Sequence, residues 1–137
     1  MNCAVEGYTT KNLCELAGVT YRQADYWARN GVLVPTLVPA VGQGSQRLYN
    51  ATDVVIAYML GQLSAQRCSR PALTAVVNVL RRDPEAWDAV LLVTEPGGVI
   101  VTTTPAAALA ELGLVACWLV NPAAALARAR QAAEVTA

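Results

Sequence analysis

TYRQADYWARNG, residues 20–31, is the stretch that decides how the N-terminal half folds. Thr20 followed three residues later by Gln23 has the spacing of a capping box, and Gly31 stands where a helix would stop. Between them Ala24, Trp27 and Ala28 recur at i, i+3 and i+4, so one stripe can face a core. The opposite side carries Arg22, Tyr26 and Arg29 in an outward row. Asp25 and Arg29 are spaced for an i, i+4 ion pair, which on its own would make the row an ordinary solvated face. The flanking sequence decides between the two readings.

Upstream, Thr9 or Thr10 can cap a helix whose apolar stripe is Leu13, Leu16 and Ala17, ended by Gly18. The connection "GVT" is short, with Val19 expected in the elbow, so the two helices have the pattern of a helix-turn-helix. Downstream, "VLVPTLVPAVGQGSQRLY" holds prolines that rule out a helix and β-prone flanks around "GQGS". It reads as a hairpin, with arms at about residues 34–41 and 46–49 and a wing-like tip. "NATD" then caps a third helix with Ile56, Met59, Leu60 and Leu63 on its buried face.

"QRCSRP" at 66–71 is polar, carries a proline at a helix start, and separates two apolar patterns. It divides the chain into residues 1–68 and 69–137. A helix through Leu73, Val76, Val77 and Leu80 opens the second part. "AVLLVTEPGGVIVTT" follows as two strands about a turn, then "TPAAALAELG" as a helix capped by Thr104 and ended by Gly113. "LVACWLV" is a third strand, and a helix opened by Asn121 and Pro122 comes last. The strands are nearly continuous apolar runs, which argues burial on both faces. So short a sheet needs cover from the first domain, a second copy of the chain or an apolar ligand. Trp87 and Trp118 could line a pocket, although an aromatic in an apolar strand is more often core. The fold class expected is α+β: an N-terminal winged helix-turn-helix followed by a small α/β domain with a short three-stranded sheet.

Composition narrows the chemistry. The chain of 137 residues is 55% hydrophobic and 15% charged with no net charge, so it folds, and any basic surface must be local. Histidine is absent, which removes Ser-His-Asp and Cys-His catalysis and His-based metal sites. No phosphate-loop, dinucleotide or nucleophile-elbow motif occurs, so neither an enzyme nor a cofactor is expected. Cys3, Cys14, Cys68 and Cys117 are scattered and read as free thiols of a reducing cytosol. No apolar run reaches the roughly 18 residues of a membrane span, and "MNCAVEGYTT" has no signal-peptide pattern, so a cytoplasmic location is expected. Abundant Ala and Val, with nine arginines to one lysine, suggest a GC-rich genome.

A helix-turn-helix places its second helix in the major groove. Arg22, in the first turn, is set to make a bidentate contact to guanine, while Tyr26 and Arg29 would run along phosphates. Beside the hairpin tip stand Arg47 and the polar Gln43, Ser45 and Gln46, with glycines that let backbone approach phosphate.

With the turn, wing and helix row assembled, "YTTKNLCELAGVTYRQADYWARNGVLVP…GSQRLYNATDV" resembles the winged helix-turn-helix of MerR-family transcription regulators. The shared features are a threonine-started first helix, an A-G-V-T turn, a Y-R…Y-W recognition helix, a G-V-L-x-P exit and an R-x-Y…D-V junction from wing to helix. They cover about residues 8 to 63. The wording is most similar to the actinobacterial FtsR-like branch. The resemblance implies a sequence-specific DNA-binding regulator that acts as a homodimer on an inverted repeat, and the doubly apolar sheet places the expected dimer contact in the C-terminal domain. RNA polymerase or a small-molecule effector would be further partners. It also implies DNA contacts by Thr20, Tyr21, Arg22, Tyr26 and Arg47, with Thr9 and Thr10 capping or touching phosphate. With Gln23, Arg29, Gln43, Ser45 and Tyr49 these make the candidate DNA-binding set, helix 20–30 lying in the groove and wing 37–49 on the flanking backbone.

Three departures stand out. No sustained heptads follow the winged domain, so a coiled-coil dimer is not expected. Cys117 stands alone where metal-sensing members carry a cysteine pair. Asp25 sits where many relatives have a basic residue. Two rivals of other classes are an excisionase-like architectural factor, which bends DNA for a recombinase, and a protein-interaction module with a vestigial winged domain.

Overall fold

The computed structural model describes residues 7–38, 47–114 and 116–136, with side chains described up to residue 131. Its first two helices are bounded as their sequences dictate. In α1 (Thr10–Ala17) the Thr9 hydroxyl accepts from the Asn12 amide at 3.2 Å, and Asn12 Oδ1 accepts from the Thr9 amide at 3.3 Å. In α2 (Tyr21–Arg29) Thr20 and Gln23 make the same reciprocal pair, at 3.1 and 3.0 Å. Each box satisfies amides that a helix start otherwise leaves without partners. Gly18 closes α1 in the left-handed conformation, and after α2 the left-handed residue is Gly31.

Past Gly31 only the base of the hairpin falls within the described residues. Val38 bridges Leu48 antiparallel, and Tyr49 in turn bridges Tyr8, so the returning arm is flanked on both sides. Residues 34–36, expected in the first arm, do not pair there; Thr36 instead bonds to Asp53. Asn50 caps α3 (Ala51–Ala65), and Asp53 closes its capping box. Burial on α3 extends well beyond Ile56, Met59, Leu60 and Leu63 to Asp53, Val54, Val55 and Ala57. The helix is apolar nearly all round because it is central, touching α1 and two helices that follow it in the chain. Gly61 lets the helix-turn-helix elbow come close: a Cβ there would lie 2.6 Å from Val19 Cγ1.

Ser69 caps α4 (Arg70–Arg82), with Pro71 in its first turn, where a missing amide hydrogen costs nothing. Leu73, Val76, Val77 and Leu80 are buried, as their spacing requires. A 3-10 turn, Pro84–Asp88, follows, and the Trp87 indole donates to the Leu80 carbonyl at 3.0 Å. Strands β1 (Val90–Thr94), β2 (Gly98–Thr102) and β3 (Trp118–Val120) form an antiparallel sheet in the order β2-β1-β3. Leu92 pairs with Ile100 on one side and Leu119 on the other, which fixes the register. Between β2 and β3 lies α5 (Pro105–Leu112), and α6 (Pro122–Thr136) ends the fold. Thr104 does not cap α5 through its side chain, contrary to expectation; its amide donates instead to the Thr102 hydroxyl at 2.9 Å. Asn121 does open α6, accepting from the Ala124 amide.

Double burial holds for the middle strand alone. Leu91, Leu92 and Val93 are all fully enclosed, whereas β2 is half-buried and Leu119 of β3 is exposed. Leu91 and Val93 join one cluster with Leu13, Trp27, Ile56, Leu60, Val76 and Ala129, so buried residues from both sides of Cys68 share a core. Leu92, alternating to the other face, lies outside it. Among the described residues Cys14, Cys68 and Cys117 are free, and no helix is long and apolar enough to cross a membrane.

Candidate nucleic-acid interface

Helix α2 divides cleanly by face. Ala24 and Trp27 are buried in the core, while Tyr21 is 63% and Tyr26 46% exposed and Arg22 is open to solvent. Arg29 is also open, its side chain 74% exposed. Together these four side chains form an outward row of two cations and two phenols on a helix held at both ends. Arg22 has no acidic partner among the described residues. Its place in the first turn also puts it near the positive end of the helix dipole, which favours anions there.

The capping residues have structural work of their own. Thr20 and Gln23 hold each other, and among the described residues the Gln23 side-chain nitrogen has no partner. Thr9 is spent likewise on Asn12. Thr10 is half-buried at the start of α1. Gln43 and Ser45 lie outside the described residues.

Two expected DNA contacts have other surroundings in the structure. Tyr49 is fully buried, its hydroxyl close to Thr10 but without a hydrogen bond of good geometry. Burial pushes its phenol above the ordinary value, with Arg47 opposing, so Tyr49 is a core side chain rather than a surface contact. The Tyr49 backbone pairs with Tyr8 while its ring lies in the hydrophobic core. Arg47 is only 13% exposed and donates from Nη2 to Asp25 Oδ1 at 2.9 Å. The other carboxylate oxygen lies 3.0 Å from Arg29 Nε, making the expected i, i+4 ion pair. Asp25 thus joins the wing root to the middle of α2. The Arg47 hydrogen bond foremost, and the charges of both arginines, hold its carboxyl below the usual carboxylate range.

A second carboxylate completes the frame. Asp53 is fully buried and takes hydrogen bonds from the Thr36 amide at 2.8 Å, the Thr36 hydroxyl at 2.7 Å, the Asn50 amide at 3.0 Å and Arg81 Nη2 at 2.6 Å. It fastens the segment entering the wing to the start of α3 and to the end of α4. Sequence reasoning missed this role: Asn50-x-x-Asp53 is a readable capping box, but nothing local points from Asp53 to Arg81.

Trp87 and Trp118 line two different clefts. A cleft of about 580 Å³ runs between Tyr8, Leu16, Val55, Trp87 and Leu126, and one of about 310 Å³ is bounded by Tyr58, Gln62, Trp118 and Arg128.

Comparison with known proteins agrees with this geometry. Residues 8–74 match the family model of the MerR HTH family of regulatory proteins. Three mycobacterial proteins, one from Mycobacterium bovis and two from strains of Mycobacterium tuberculosis, are each 40% identical over 76 residues. All three are named as uncharacterized HTH-type transcriptional regulators. The matched stretch covers 56% of this chain but 34% of each relative, so the likeness spans about a third of their length. The match takes in both capped helices, the wing root with Arg47 and Tyr49, and all of α3. Residues 8–74 of this chain thus match a helix-turn-helix of the MerR HTH type.

Proposed function

We propose that the protein is a sequence-specific DNA-binding transcription regulator, acting as a homodimer on an inverted repeat. Helix 20–30 enters the major groove and wing 37–49 lies on the flanking backbone. The observation that carries this reading is the exposed row Tyr21, Arg22, Tyr26 and Arg29 on a helix whose other face is locked into the core. Arg22 reads base edges, and Tyr26 and Arg29 take phosphates. Arg47 serves the interface mainly by fixing the wing root against the helix.

Dimerisation is supported by arithmetic of charge. The chain has no net charge, and two of the cations near α2 are already paired with Asp25. A single half-site therefore offers few phosphate contacts, and two linked half-sites multiply a weak interaction. Residues 69–137 supply exposed apolar side chains, Leu112 and Leu119, suited to a subunit contact. Placement in the FtsR-like branch belongs to the same proposal and rests on the wording of residues 20–29 and 44–49.

Selection of bound duplexes from a random DNA pool tests the reading, with affinity followed against salt. Enrichment of an inverted repeat, with affinity falling steeply as salt rises, is the expected result. Enriched direct repeats would replace the promoter regulator with an architectural DNA-bending factor. No enrichment at low salt would refute DNA recognition by α2.

A further inference from the structure

Asp25 is an acid in the middle of a surface that is expected to meet a polyanion. Its two oxygens are divided between two arginines of unlike surroundings. Arg47, only 13% exposed, is held at 2.9 Å across 22 residues of sequence. Arg29 is held at 3.0 Å on the open side of the helix, 74% exposed. An exposed pair of the second kind is weak in water, so it opens at little cost when a phosphate is placed to replace the carboxylate. While closed, it cancels a cation that would otherwise attract any DNA backbone. The enclosed pair does the opposite, keeping the wing root fixed to α2.

We propose that Asp25 is a specificity-determining residue of the DNA-binding surface: it neutralises Arg29 toward arbitrary DNA and releases it only where a register set by Arg22 brings a phosphate against it. The inference rests on the DNA-binding reading above. Sequence-independent affinity comes almost wholly from cations facing phosphates, whereas specific affinity also draws on base contacts. A carboxylate beside the row therefore weakens nonspecific binding more than specific binding. It widens the ratio between them by opposing the wrong complexes.

Full-length wild type, Asp25→Asn, Asp25→Glu, Arg29→Gln and Arg47→Met are titrated with the best selected duplex and a scrambled duplex of equal length. Salt is varied between about 50 and 200 mM. For Asp25→Asn, scrambled DNA should bind several-fold tighter, with a salt slope steeper by about 0.9, one added phosphate. The preference for the selected site should fall. Asp25→Glu, which keeps the charge, should restore the wild-type slope and preference. Arg29→Gln should weaken the selected site and leave scrambled DNA nearly unchanged; this arm does not depend on any change at Asp25. Arg47→Met should lower the melting temperature without steepening the slope. An Asp25→Asn protein that remains folded at the assay temperature but keeps the wild-type slope and preference would overturn the inference. So would equal losses on both duplexes for Arg29→Gln. Wild type that binds no duplex at all would instead overturn the DNA-binding reading itself, and this inference with it.

Discussion

Replacing Asp53 should cost more stability than replacing any exposed charge of the molecule. Its carboxylate is fully buried and serves four donors: two backbone amides, one hydroxyl and one guanidinium. In Asp53→Ala the Thr36 and Asn50 amides lose their acceptor, and α3 loses half of its capping box. Arg81, its side chain 33% exposed, can turn toward water and recover part of its hydration. The loss is thus concentrated on the carboxylate side of the pair. Breaking a buried, hydrogen-bonded ion pair from one side costs about 3 to 5 kcal/mol, which for a chain of this size lowers the melting temperature by roughly 10 to 20 °C. Arg81→Met should cost less, about 1 to 2 kcal/mol, because Asp53 keeps three of its donors. Urea unfolding followed by tryptophan fluorescence gives both values, with Trp27 buried in the core as a reporter. The double variant should fall well short of the sum, since one interaction is being removed twice. A loss below about 1 kcal/mol for Asp53→Ala, or strict additivity with Arg81→Met, would refute the role of Asp53 as the joint between the wing segment, α3 and α4.

Gly61→Ala should destabilise by about 1 to 3 kcal/mol despite alanine's better helix propensity, because the new methyl would meet Val19 Cγ1 at 2.6 Å; Val19→Ala in the same chain should return most of the loss in urea unfolding. Arg67 sits at φ 65°, a left-handed position that charges a side-chained residue for its Cβ, so Arg67→Gly should raise the unfolding free energy by about 0.5 to 1 kcal/mol. Asp25 has a folded value below its ordinary 3.8, so its contribution to stability is complete above the ordinary value and is lost as pH falls through the folded one. The urea-midpoint gap between wild type and Asp25→Asn should accordingly be constant above about pH 5 and close below about pH 4; a gap that widens on acidification would contradict the pairing. Cys68 is buried and its thiol is pushed up to about 11, first by desolvation and then by the Glu95 charge, so mass spectrometry after alkylation at neutral pH should find it unmodified until the chain is unfolded.

Local signals were the legible part of this fold. Thr20 with Gln23, Asn50 with Asp53, and Gly18, Gly31 and Gly113 each mark a boundary through contacts within a few residues, and the helices begin and end there. The order of elements after Arg70 follows from apolar runs broken by Pro and Gly in the same way. Thr104 misled because its sequence position suits a cap, but its backbone leaves the extended range that such caps use, at ψ 73°. What was not legible is held by distant partners. Asp25 looked complete with Arg29 four residues on, and its tie to Arg47 depends on a meeting across 22 residues of sequence that no local pattern signals. Tyr49 looked like a surface contact because tyrosine can serve either purpose; only its pairing with Tyr8 turns the ring inward. Nothing in the hydrophobic period of α3 told that α6 would close over it, which is why its extra burial was missed.

These placements separate two kinds of residue inside one family match. The Arg47-x-Tyr49…Asp53 motif marks the fold by sequence, yet its members grip Asp25, fill the core and pin Thr36. They are constrained by many neighbours, so a change at any of them disturbs the whole frame. Tyr21, Arg22 and Tyr26 are constrained by none of that packing, being exposed on a helix fixed by its other face. Substitution there leaves the frame intact and alters only what the frame presents. On the proposed function, the frame and the row can therefore vary separately, and the target of this chain would be written in those exposed side chains rather than in the motif that holds the frame.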